Sequence, residues 1–107
     1  MDPLFEYAYH WLRDTAVRLY RPFDITLNRR WVRDIEVGRP GFCAQLRLVA
    51  LDALQSQNAE LIHKGIAALA VVGCAADLGR LASVSPEYAV AARTAIFEIE
   101  HSERSGP

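Results

Sequence analysis

Two short runs carry the residue types and spacing of a metal site: Glu60-Leu61-Ile62-His63 and Glu98-Ile99-Glu100-His101. Three residues apart on a helix, a carboxylate and an imidazole share one face, the arrangement used in di-iron carboxylate bundles. A site of that kind needs the two pairs to meet. Glu60 falls where a helix opens and Glu98 where one closes, so in neighbouring parallel helices the pairs would sit on the order of 15 Å apart at 1.5 Å per residue. Glu60 as a first-turn acid and His101 as a last-turn base also complement a helix dipole without any metal. The expectation is no metal and no cofactor, with Glu60, His63, Glu98 and His101 as the competing metal reading.

A second cluster is basic. Arg29, Arg30, Arg33 and Arg39 surround Trp31, and arginines beside an aromatic ring can hold phosphates while the ring stacks on bases. Asp34 and Glu36 interrupt the same window, so the expected arrangement is a solvated outer helix face with Trp31 turned inward, and nucleic acid is the alternative partner. His10 stands beside Trp11 with no nucleophile pattern near it. The glycines at 38, 41, 65, 73, 79 and 106 are scattered and form no phosphate-binding loop. No catalytic motif is present, and an enzyme is not expected.

Any such site has to be positioned by a chain of 107 residues, the size of one domain with one modest core. Apolar residues make up 51% and charged residues 23%, a globular composition. Twelve Lys and Arg stand against thirteen Asp and Glu, evenly mixed along the chain, which lacks the field of a general nucleic-acid or anionic-membrane binder. Cys43 and Cys74 lie in apolar stretches, as reduced buried thiols would. No basic-then-apolar leader follows Met1, and the longest apolar run, Ile66 to Val72, is far short of the roughly 20 residues that span a bilayer. These features predict a cytoplasmic protein with no membrane contact.

The pattern along the chain is helical. Asp2 and Pro3 predict a helix start, and Leu4, Phe5, Ala8, Trp11, Leu12, Ala16 and Leu19 form one face of a helix ending before Pro22. Phe23, Ile25 and Leu27 alternate, which predicts an extended link into a second helix over 27–37, closed by Gly38 and Pro40. A third helix ends near Leu54. A fourth runs from Ala59 to Val72, with Gly73 suited to a left-handed turn after it. A fifth covers 76–82. A sixth begins at a capping Ser85 ahead of Pro86 and Glu87 and runs to about Glu100, followed by a flexible tail over 102–107.

Shifting the sequence by 27 positions places Leu51 on Leu78, Leu54 on Leu81, Ser56 on Ser83 and Glu60 on Glu87. The register continues with Leu61 on Tyr88, Gly65 on Ala92, Ala68 on Ala95, Leu69 on Ile96 and Val72 on Ile99, and it aligns the caps Asn58 and Ser85. A helix pair that cannot bury its own apolar stripe and therefore stacks on a copy produces this pattern. The segment Glu60 to Gly73, followed by Asp77-Leu78-Gly79-Arg80-Leu81, resembles the HEAT repeat, in particular the short variety named after phycobilisome lyases. The resemblance covers 42–100. It departs from the family pattern in lacking the usual arginine before Ile66 and in having Glu100 where a closing glycine is customary.

The resemblance implies an all-α, α-solenoid domain of five to six helices. Residues 1–40 would cap a stack of two HEAT-like helix pairs over 42–100, all within one domain. It also implies a non-catalytic protein-binding module, scaffold or adaptor, with an immunity-type inhibitor as a variant; some HEAT-like hydroxylases hold di-iron, which is the enzyme alternative. In such repeats the exposed side of the second helices lines up as a binding stripe. The register assigns it here to His63, Ala67, Val90, Thr94 and Phe97. The implied partner is a protein, and a second copy at the open end of the stack would also satisfy it.

Overall fold

A computed structural model describes residues 2–15 and 25–104, with side chains for 2–14 and 28–101. Among the described residues every regular element is helical and there is no strand. Helix α1 (Pro3–His10) starts as its sequence dictates: the Asp2 carboxylate accepts from the Leu4 N–H at 2.8 Å and Pro3 occupies the first turn. The chain then widens into one π-helical turn, Trp11–Thr15. The expected continuation through Ala16 and Leu19 lies outside the described residues.

Helix α2 (Ile25–Gly38) begins two residues before the expected 27. Ile25, expected in an extended link, is already helical; Phe23 lies outside the described residues. Its inward side holds the aromatic cluster that joins the first three helices. Trp31 meets Trp11 edge-on at 4.9 Å between ring centroids, and Trp11 meets Phe42 at 5.3 Å and 88°. Such edge-to-face geometry suits the ring quadrupoles, and burying the Phe42 side chain contributes about 1.5–3 kcal/mol.

Helix α3 (Phe42–Ala53) has no side-chain cap of its own, because Gly41 stands at the capping position with φ 96°. The previous helix supplies the missing acceptor. Glu36 Oε2 accepts from the Gly41 N–H at 2.7 Å, and Oε1 from the Cys43 N–H at 2.8 Å. These backbone hydrogen bonds hold the Glu36 carboxyl below its ordinary value. Burial and the neighbouring carboxylate push the Cys43 thiol up to about 11. Cys43 and Cys74 are both free and half-buried.

Helix α4 (Ala59–Val72) has the expected bounds, and its Asn58 cap accepts from the Leu61 N–H at 3.1 Å. It is the central helix, buried without interruption from Lys64 to Ala70. It packs against α3, α2, the Trp11–Thr15 turn and the last helix. Close approach to α3 requires Gly65, since a Cβ there would lie 2.9 Å from the Ala50 carbonyl oxygen and 3.0 Å from the Ala53 Cβ. Lys64 is buried with its ammonium donating to the Arg13 carbonyl, and it lies 3.5 Å from Glu60.

Gly73 is not the left-handed residue that its position suggested. Its φ of −72° and ψ of 168° are extended, and glycine is needed there for space. A Cβ would stand 2.5 Å from the Leu69 carbonyl oxygen and 2.9 Å from Ile99 Cδ1.

A 3-10 turn, Ala75–Asp77, leads into α5 (Leu78–Ala82), and a second, Pro86–Tyr88, leads into α6 (Ala89–Arg104). Ser85 makes no side-chain capping bond. The tight turn satisfies the Tyr88 N–H with the Ser85 carbonyl at 2.9 Å instead. Helix α6 continues to Arg104, past the expected start of the tail, while 105–107 lie outside the described residues. It packs against α4 and α5, and Arg29 of α2 reaches Glu98 at 3.2 Å.

Candidate functional site

One side of α6 is committed to the core through Ala92, Ala95 and Ile99, all buried. Its opposite side presents Val90, Thr94, Phe97 and His101, spaced four, three and four residues apart, so they form one straight stripe. Val90 is 73% exposed and Phe97 54%. The Phe97 ring stacks on the His101 imidazole at 4.1 Å and 29°, and the Thr94 hydroxyl donates to the Val90 carbonyl at 3.2 Å. Two exposed charges, Arg93 and Glu100, stand one heptad apart along one edge of the stripe. Along the other edge Glu98 is half-buried and paired with Arg29.

The expected binding residues divide here. Val90, Thr94 and Phe97 share this open face. Ala67 is buried, and His63 is half-buried with its ring edge against Tyr88 at 5.0 Å between centroids. Ala70, the register equivalent of Phe97, is buried as well. The positions that α4 covers with neighbouring helices are the ones α6 leaves bare. The sequence reading placed neither Arg93 nor Glu100 on the binding stripe, although their heptad spacing beside Val90 and Phe97 is readable there.

The metal alternative is scattered by the same fold. Glu60 is exposed beside Lys64, Glu98 pairs with Arg29, and His101 stacks on Phe97. Among the described residues no group of three or more His, Cys, Asp and Glu is placed to hold a metal ion. The arginines of the basic window are also divided in their contacts. Arg29 is engaged with Glu98, the Arg39 guanidinium lies 4.0 Å over the Tyr7 ring, and Arg30 and Arg33 point to solvent. His10 is exposed within 3.0 Å of the Arg13 guanidinium.

Two of the hollows on the surface are lined wholly by described residues. The larger, about 320 Å³, lies between the end of α3 and α5 and is lined by Leu54, Gln55, Gly79, Arg80, Ser83 and Val84, with Arg80 its one charged group. The smaller, about 130 Å³, lies beside Tyr9, Arg13, Glu60 and Lys64, where the ammonium is already engaged by the Arg13 carbonyl. No helix among the described residues is long and apolar enough to cross a membrane. No known protein family, curated protein or solved structure matches this chain.

Proposed function

We propose that this chain is a non-catalytic protein-binding module, a small scaffold or adaptor, built as two HEAT-like helix pairs. In this reading α3 with α4 and α5 with α6 are the two pairs, and α1 and α2 cap one end. Packing of α3 on α4, of α4 on α6 and of α5 on α6 supports the pairing. So does burial at both members of the register pairs Gly65 and Ala92, and Ala68 and Ala95.

The observation that carries the functional reading is the bare stripe of Val90, Thr94 and Phe97. Isolated exposed apolar residues are ordinary, but a contiguous apolar-leaning row rimmed by charges is how an interaction surface is built. Its equivalent on α4 is covered, so in this reading the stripe is a repeat surface left open among the described residues. The test compares the proteins retained by tagged wild type and by Phe97→Asp from a lysate of the native organism. A stoichiometric protein lost with the variant supports the reading; retention unchanged by the variant, or no retained protein, argues against it.

A further inference from the structure

We propose that two copies of this chain pair through α6, antiparallel about a two-fold axis, with each stripe lying against the other. The proposal rests on the protein-binding reading and assigns the occupant of that surface. Closed two-fold pairing is the commonest assembly of soluble homo-oligomers, and it requires a patch complementary to itself. The α6 stripe meets that requirement in both shape and charge.

Val90, Thr94, Phe97 and His101 follow the four-three-four spacing of a coiled-coil seam. Laid antiparallel about a centre between Thr94 and Phe97, the seam places Thr94 against Phe97 of the second copy and Val90 against His101 of the second copy. The flanking edge then falls into register. Arg93 precedes the Thr94 layer and Glu100 follows the Phe97 layer, so Arg93 of each copy faces Glu100 of the other. The two-fold axis makes that contact twice. Both side chains are exposed in the single chain and stand on one edge. A parallel arrangement would instead bring Arg93 toward Glu98, which Arg29 already holds at 3.2 Å, and would leave Glu100 facing the end of the helix.

A seam of this length buries less than the roughly 1,200 Å² at the lower end of specific interfaces, so the dimer forms and dissociates readily with concentration. Its charge pairs govern register and partner choice more than affinity.

Sedimentation velocity of the full chain from about 1 µM to about 1 mM, the range over which such weak pairs titrate, tests the pairing. Wild type is expected to pass from monomer to dimer. Arg93→Glu alone and Glu100→Arg alone each place like charges in contact and raise the dissociation constant at least about tenfold. The double variant Arg93→Glu/Glu100→Arg restores the wild-type constant, and an equimolar mixture of the two single variants forms a heterodimer that neither forms alone. Both positions are exposed in the single chain, and circular dichroism confirms that each variant is folded. A chain that stays monomeric to the highest concentration overturns the proposal, as does a dimer indifferent to the charge reversals. A partner protein lost with Phe97→Asp would then leave the binding reading standing with another occupant, whereas absence of both would remove the two together.

Discussion

The Arg47 guanidinium grips the Asp77 carboxylate with two hydrogen bonds, Nε to Oδ2 at 2.8 Å and Nη2 to Oδ1 at 2.6 Å, across thirty residues of sequence. The Asp77 carboxylate also accepts from the Cys74 N–H at 2.9 Å and is only 1% exposed. This pair fastens α3 to the turn between α4 and α5, and so fixes where α5 begins. Burial alone would raise the Asp77 carboxyl; the hydrogen bonds from Arg47 and Cys74, with the arginine charge, outweigh it and hold the carboxyl below its ordinary value.

Removing the half-buried Arg47 strands the buried Asp77 carboxylate. Arg47→Ala is therefore expected to cost about 3 kcal/mol, measured as a shift in the urea midpoint. Replacing both residues together, Arg47→Met with Asp77→Leu, should cost less than the sum of the single changes, because no charge is left buried without its partner. Strict additivity would show that the two side chains act independently.

The same carboxyl sets an acid response. Its value in the folded chain lies below that in the unfolded chain, so the stabilisation is present above the unfolded value, about 3.9, and is lost as pH falls through the folded value. Asp77→Asn should flatten the fall of stability in that acid range while leaving the slope between pH 6 and pH 8 unchanged, as read from urea titrations at successive pH values. An acid slope identical to wild type would contradict the assignment.

Glycine positions separate close packing from chance. Gly65→Ala presses a Cβ to within 2.9 Å of the Ala50 carbonyl oxygen and is expected to cost about 1–3 kcal/mol. Gly79→Ala, with nothing within 4 Å of the added Cβ, should stabilise α5 by about 0.5–1 kcal/mol through helix propensity. Thermal melts of the two variants should move in opposite directions.

Cys43 should be slow to alkylate. With its thiol pushed up to about 11, little thiolate is present at pH 8. Mass spectrometry after iodoacetamide treatment should show Cys43 labelled at least about tenfold more slowly in the folded chain than in urea. Equal rates would mean that neither burial nor Glu36 acts on it.

Local patterns carried the parts of the fold that are decided locally. Asn58 and the apolar run after it defined α4 from Ala59 to Val72, and Asp2-Pro3 defined the start of α1, because a cap and the first turn lie within a few residues. Gly73 is legible as a stop, but the space it leaves is taken both by the Leu69 carbonyl four residues back and by Ile99 far along the chain, and the second has no local signature. The Glu36 cap of α3 and the Arg47–Asp77 pair join residues seven and thirty apart with no local signature, so neither was legible. At Ser85 the sequence showed a capping residue, and the 3-10 turn used its carbonyl in place of its hydroxyl. For the candidate site, the register marked Val90, Thr94 and Phe97 together. It could not separate them from His63 and Ala67, because which of two aligned helix faces stays open depends on what packs against it.

A photo-reactive phenylalanine derivative placed at Val90 and, separately, at Val37 tests whether the α6 stripe is the binding surface. Both valines are largely exposed, 73% and 77%, but Val37 is on α2. After irradiation in cells of the native organism, a discrete protein adduct, either a second copy or another chain, is expected from position 90 and none from position 37. Equal crosslinking from both positions, or an adduct from position 37 alone, would contradict it.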